Sequence, residues 1–160
     1  MPRHRSDTRR MSRVTVREIR EHEVPDVAGV WRRARIDAVP EIEARLGHSF
    51  QDDLEHMTRG VLPHYAVWVA ELDGRIVAVM TLRGSDLDKL YVEPALQRRG
   101  IGSLLLERAK QESPSGLTLC THQINATARA FYEKNGFRAT RFGVSPPPES
   151  EPDVEYEWTP

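Results

Sequence analysis

The hexad Gln97-Arg98-Arg99-Gly100-Ile101-Gly102 stands between the run Asp88-Lys89-Leu90-Tyr91-Val92 and a helix-compatible stretch from Ser103 to Lys110. That order of strand, glycine loop and helix constrains the fold more than any other feature of the chain. Two near-adjacent glycines let backbone amides approach an anion closely, and the helix that follows offers its four unpaired N–H groups and positive dipole end to the same point. A diphosphate-binding turn is the expectation. Two familiar phosphate loops fit poorly. A dinucleotide fingerprint needs a third glycine where Leu105 stands, and a mononucleotide loop needs a lysine between glycine and hydroxyl, whereas Ser103 follows Gly102 directly.

A second organised segment runs from Asn125 to Phe137. Asn125 suits an N-cap, residues 126–134 are helix-compatible, and Asn135-Gly136 is a pair that ends helices with a left-handed residue. Around these two segments the hydrophobic pattern reads as alternating strands and helices. Residues 14–19 alternate like a half-buried strand, and Val27, Val30, Trp31 and Ala34 fall at helical spacing over residues 25–37. Residues 41–48 support no assignment. A helix is expected from Ser49 onward, with Phe50, Leu54, Met57 and Val61 inward and Ser49 with Asp52 as a capping box. Residues 65–72 and 75–82 flank Asp73-Gly74, which predicts a type I′ hairpin. Ile101, Leu104, Leu105 and Ala109 line one face of the helix after the glycine loop. Strands follow at residues 117–121 and 137–142, Pro146-Pro147-Pro148 interrupts pairing, and residues 154–158 are expected to close the sheet edge.

The chain's 160 residues fit one domain, read as residues 13–160, preceded by a disordered basic leader over residues 1–12. Four arginines lie among the first ten residues, and Met11 is a possible internal start. Lys and Arg number 23 against 24 Asp and Glu, so no global field draws the chain to nucleic acid or anionic lipid. One cysteine, Cys120, cannot form an intrachain disulfide, and no apolar run approaches the ~20 residues of a membrane helix. The expected compartment is the cytoplasm. Cys120, inside a predicted strand, is read as a small buried apolar residue, and Trp31, Trp68 and Trp158 as core. No metal site is expected from His48, His56 and His64, which lack a defensible ligand pattern.

Residues 90–102 closely resemble the acyl-coenzyme-A-binding motif of the GNAT acyltransferases, Gln/Arg-x-x-Gly-x-Gly/Ala after a hydrophobic strand and a Val-x-Pro turn. Residues 125–137 resemble the second motif of that superfamily, Asn-x-x-Ala-x-x-Phe-Tyr-x-x-x-Gly-Phe, at the usual distance from the first. The resemblance covers most of residues 14–142. It implies an α/β (α+β) fold with a mixed, mostly antiparallel sheet of about six to seven strands, about four helices, and a splay between the two central strands. It also implies transfer of an acetyl group from acetyl-coenzyme A to a primary amine of a small molecule, peptide or protein. A homodimer is reasonable on the same ground. A coenzyme-A-binding regulatory module without turnover is the alternative, and an acyltransferase of RNA-linked amines using the basic leader is a third.

Carried residue by residue, the resemblance assigns main-chain contacts with the pantetheine arm to Leu90, Tyr91 and Val92. It gives the pyrophosphate to Gln97, Arg98, Arg99, Gly100, Ile101, Gly102 and Ser103. Arg98 and Arg99 read equally well as solvated surface residues, and Ser103 as a simple cap. Asn125 would bond the coenzyme arm or act only as a helix cap, and Lys134 would reach phosphate or remain in solvent. Tyr132 resembles the tyrosine that protonates the departing thiolate, against a plain aromatic core position. The base is open among Asp86, Asp88, Glu71, His122 and Gln123, with His122 and Gln123 preferred on the acceptor side. The acceptor is expected against the first two helices, residues 39–50 and residues 146–153. Glu41, Glu43, Asp52, Asp53 and Glu55 would there favour a cation or form an ordinary solvated face.

Overall fold

The computed structural model describes residues 13–160, so the basic leader expected over residues 1–12 lies outside the described residues. Its strands are β1 (Thr15–Glu18), β2 (Ala66–Leu72), β3 (Arg75–Arg83), β4 (Asp86–Val92), β5 (Leu117–His122), β6 (Arg138–Val144) and β7 (Pro152–Trp158). They form a 7-stranded sheet in the order β1-β2-β3-β4-β5-β7-β6. The helices are α1 (Val24–Ala38), α2 (Pro40–Leu46), α3 (Phe50–Glu55), α4 (Ile101–Glu112) and α5 (Ala126–Lys134). This is the mixed, mostly antiparallel α/β arrangement expected from the two motifs.

The β2–β3 hairpin turns through Asp73 and Gly74 at φ 51° and 76°, the paired positive values that a type I′ turn demands. Ser49 and Asp52 form the expected capping box: Ser49 N donates to Asp52 Oδ2 at 2.8 Å and Asp52 N to Ser49 Oγ at 3.1 Å. After Glu55 the helix widens into a π turn over His56–Val61. Met57 and Val61 are buried there, whereas Phe50, expected inward, is 42% exposed.

Beyond Phe50, the fold departs from the sequence reading in α2, in the place of β7 and at Cys120. α2 is a helix where no assignment was possible, because Ile42 alone among its residues is buried and leaves no apolar period to read. Pro40 opens α2 and Gly47, at φ 67°, closes it. Second, β7 is interior: it pairs with β5 over Leu117↔Trp158 to His122↔Asp153 and with β6 on its other side, so β6 is the edge. Alternation marks a strand's two faces but carries no information about its neighbours. Third, Cys120 is exposed. Leu117 and Leu119 take the core-facing positions of β5, so the residue after each alternates away. Partial burial, then Asp153 and Glu155, push the Cys120 thiol up, which makes it a poor nucleophile.

Two cores sandwich the sheet. Met80, Leu87, Ile101, Leu105, Leu106, Leu117 and Tyr156 pack beneath α4 and α5. Val27, Trp31, Met57, Val61, Val69 and Val79 pack beneath α1 and the π turn. Each fully buried aliphatic side chain contributes roughly 2 kcal/mol of transfer free energy, and together they hold both helical layers against the strands.

An ion cluster ties β1 and β2 to the start of α1. Arg17 Nη1 and Nη2 donate to Glu23 Oε1 and Oε2 at 2.8 and 2.7 Å, and Arg17 Nε donates to Glu71 Oε2 at 2.9 Å. The Arg17 hydrogen bonds, outweighing burial, hold the Glu23 carboxyl down at about 2, against an ordinary 4.5. On acidification the unfolded chain therefore takes up this proton first. The stabilisation is complete above the unfolded value and is lost as pH falls toward the folded one. The melting midpoint is expected to fall by roughly 5 °C between pH 6 and pH 3 through this group, and Glu23→Gln should flatten that part of the curve. Calorimetry of both proteins across the window checks it; equal slopes would contradict the assignment.

Candidate active site

The central strands β4 and β5 run parallel yet share one register pair, Asp86↔Thr118, fastened by Thr118 N donating to Ser85 O at 2.8 Å. Beyond it no β4–β5 register pair occurs among the described residues. On its other side β4 stays in register with β3 through Met80↔Leu90, Val79↔Tyr91 and Ala78↔Val92. Since the strands are parallel, the wedge closes at Asp86 and opens toward Val92 and His122. The glycine loop follows the first of these ends and α5 the second, so both motifs meet at the mouth.

A turn at Pro94–Leu96 leads into the loop, and Gln97 Nε2 donates to Val92 O at 3.2 Å, which fastens the loop to the strand end. Arg98 has φ 63° and Gly100, the N-cap of α4, φ 85°. Such changes of backbone hand turn successive amides toward one side and form an anion-binding concavity. Ile101 is buried and pins the start of α4, while the Arg98, Arg99 and Ser103 side chains stay exposed. Gly102 sits at a close approach of three elements. A Cβ there would lie 3.2 Å from Phe131 Cζ and 3.7 Å from Leu90 Cδ2, so its absence lets α4, α5 and β4 converge.

On α5, Asn125 Oδ1 accepts from Ala128 N at 3.1 Å, the cap expected of it, and Lys134 is exposed. Tyr132 is 6% exposed and packs edge-on against Phe131 and Phe137 at 5.2 and 5.5 Å between ring centroids, with Tyr156 at 6.2 Å. Burial, then the nearby Tyr91, raise the Tyr132 phenol well above its ordinary value. Tyr91, chiefly through burial, is pushed up to about 12. Both phenols therefore carry their protons at neutral pH. Tyr156 fixes α5 on β7 by accepting from Arg129 Nε at 3.1 Å and donating to Glu133 Oε1 at 3.2 Å.

Around Tyr91 lies a second set of groups on the α1 face of the sheet. The Arg35 guanidinium stands 4.0 Å from the Trp31 ring centroid and the Lys89 ammonium 5.0 Å from it. Arg35 is held 2.5 Å from Glu43 and 3.0 Å from Asp53, and Arg32 reaches Asp53 at 3.0 Å. The acidic residues divide: Glu41, Asp52 and Glu55 are exposed, as an ordinary solvated face requires, whereas Asp53 is 2% exposed and neutralised by two arginines and Glu43 is spent on Arg35. His56 stacks on Trp31 at 5.2 Å, and burial lowers its affinity for a proton. No group of three or more potential metal ligands occurs among the described residues.

The base candidates separate cleanly. Glu71 is committed to Arg17 and Asp88 to Lys89 at 2.8 Å, and Asp86 sits at the closed end of the wedge. Gln123 is used structurally: its backbone N and side chain bond Pro152 O and Asp153 O, both at 2.9 Å. His122 stands at the open end, with Nε2 3.5 Å from Glu149 Oε1. Sequence reasoning passed over Glu149 and Arg45. Their signals were present but diffuse: a carboxylate just after three prolines, and an arginine in a segment without legible period.

A family model described as acetyltransferase (GNAT) domain matches residues 63–139. Peptidyl-lysine N-acetyltransferase YjaB of Salmonella typhimurium is 33% identical over 128 residues, 79% of this chain and 85% of that protein. Peptidyl-lysine N-acetyltransferase YiaC of Escherichia coli is 30% identical over 123 residues, 76% of this chain and 82% of that protein. In structure, apo YjaB from Escherichia coli superposes with a TM-score of 0.71 at 26% identity, covering 91% of this chain and 97% of that one. The PaiA N-acetyltransferase of Thermoplasma acidophilum, solved with coenzyme A, shares the fold at TM-score 0.65 and 20% identity, over 92% of this chain and 99% of its own. The chain belongs to the GNAT family of N-acetyltransferases.

Proposed function

We propose that this protein transfers the acetyl group of acetyl-coenzyme A to the primary amine of a peptidyl lysine, by direct attack within a ternary complex. The observation that carries the reading is the parting of β4 and β5 beyond Asp86↔Thr118 above the loop of Arg98 to Gly102. The lysine acceptor is taken from the relatives at 33% and 30% identity, which are named for that activity.

In this reading the amides from Arg98 to Ser103 hold the pyrophosphate, with the Arg98 and Arg99 side chains free to add charge-assisted bonds. The β4 edge at Leu90, Tyr91 and Val92 pairs with the pantetheine amides as an added strand would. Asn125 and Lys134 border the coenzyme on α5. The acyl carbon then lies between Tyr132 and the acceptor side marked by His122. The amine nitrogen forms its bond to the thioester carbon and the C–S bond breaks. Tyr132 donates its proton to the departing sulfur and recovers one from the acylated nitrogen. From the neutral amine the net products are the acetamide and coenzyme A with a free thiol; an amine that arrives as the ammonium ion gives up one further proton before it attacks.

Thiol release from acetyl-coenzyme A in the presence of lysine-bearing peptides tests the proposal, with mass spectrometry locating the acetyl group on the side-chain nitrogen. Stoichiometric release is expected. Failure to bind acetyl-coenzyme A at millimolar concentration would overturn it, and binding without turnover on any amine would favour the regulatory module instead.

A further inference from the structure

The loop joining β6 to β7 carries a carboxylate to the mouth of the wedge and is held there by several independent bonds. Ser145 N donates to Glu151 O at 2.8 Å, Glu151 N to Ser145 Oγ at 3.0 Å and Ser150 N to Pro146 O at 3.2 Å. From α2, Arg45 donates to the backbone carbonyl of Glu149 and meets Glu151 Oε1 at 2.8 Å. A loop so fastened presents Glu149 in a defined place rather than as a freely moving surface acid. Its carboxylate faces His122 Nε2 at 3.5 Å, a contact longer than a formed hydrogen bond, and its side chain is 36% exposed. Lone pairs on Glu149 thus stay free for a donor arriving from solvent.

The imidazole stands opposite the Glu149 carboxylate. His122 Nδ1 is buried and has no partner among the described residues. In the neutral ring, a proton on Nδ1 would leave a buried N–H unpaired and set the Nε2 lone pair against a carboxylate. A proton on Nε2 avoids both and aims an N–H at Glu149. Several other carboxylates near this mouth are spent: Asp88 on Lys89, Glu43 and Asp53 on Arg35, Glu151 on Arg45.

We propose that Glu149 is the residue that receives the acceptor's ammonium group and takes its proton, with His122 orienting the carboxylate, so that a neutral amine attacks the thioester. The inference rests on the transferase reading above and specifies its acceptor side: the substrate is a strongly basic, protonated amine. The step is R–NH3⁺ plus the Glu149 carboxylate giving R–NH2 plus the neutral acid, which later returns the proton to solvent. The groups around Glu149 are His122 from β5, Tyr91 from β4, Arg45 from α2 and Glu151 from its own loop, with Asp153 of β7 the register partner of His122.

The test compares Glu149→Gln with wild type on two peptides, one with lysine and one with an aminooxy side chain that is already neutral at pH 7. For lysine, kcat/KM is expected to fall about 100-fold, whereas the aminooxy peptide should lose less than about fivefold. The pH dependence on lysine should move in the variant toward the amine's own value, about 10.4. Calorimetric affinity for acetyl-coenzyme A should stay within about twofold, because Glu149 lies off the glycine loop. Equal losses on both peptides, or a variant as active as wild type, would overturn the assignment and leave the transferase reading standing. A wild type that binds acetyl-coenzyme A but acetylates no amine would remove both.

Discussion

Tyr132→Phe is expected to lower kcat about 1,000-fold on a lysine peptide while leaving the affinity for acetyl-coenzyme A within about twofold, as befits loss of a single proton donor. The substitution isolates one atom. Phe keeps the edge-on packing against Phe131 and Phe137, and burial of Tyr132 is shared among apolar neighbours, so the ring does not need its hydroxyl to stay in place. The loss corresponds to about 4 kcal/mol of transition-state stabilisation. Burial raises the phenol above its ordinary value of 10.0, which keeps it protonated through neutral and mildly alkaline pH. The wild-type rate should therefore show no alkaline fall from this group below about pH 10. In the proposed complex the same wedge would desolvate the departing thiolate, making it a stronger base and bringing the two proton affinities together. Steady-state kinetics paired with calorimetry decides the matter. A variant that retains wild-type kcat would assign Tyr132 to the core alone.

Most of the architecture was legible because its signals are local. Asp73-Gly74 dictates a turn by backbone hand, Ser49 with Asp52 starts a helix by satisfying its own amides, and the two motifs place strand, loop and helix within 48 residues of one another, from Leu90 to Phe137. What escaped depends on partners distant in sequence. Whether Asp53 is solvated or buried turns on Arg32 and Arg35, 21 and 18 residues away, and an acidic cluster reads the same in either case. Strand order is equally invisible to alternation, which is why β7 was expected at the edge it does not occupy. Glu149 meets His122 on a loop that Arg45 helps to fasten, reaching across 104 residues to its carbonyl. The proposed coenzyme half of the site is thus written in contiguous residues, whereas the proposed acceptor half is assembled by the fold.

Gly100→Val is expected to weaken acetyl-coenzyme A binding more than 100-fold, about 2.8 kcal/mol at 1.4 kcal/mol per tenfold. Gly100 sits at φ 85° and ψ 3° at the head of α4, a region that a β-branched residue occupies only under strain. Relaxing that strain rotates the peptide units on either side, which are the ones proposed to face the pyrophosphate. Arg98, already at φ 63°, offers no compensating freedom upstream, and buried Ile101 fixes the chain downstream. The loop must therefore surrender its shape or the helix its first turn. Backbone strain by itself is separated from loss of the site by Gly74→Val, at φ 76° in the β2–β3 hairpin with nothing within 4 Å of an added Cβ. That variant should lose stability and keep its affinity. Calorimetric titration of both proteins below their melting midpoints reads the difference. Wild-type affinity in Gly100→Val would mean that the amides of this loop do not hold the coenzyme, and the wedge would then need another ligand to explain it.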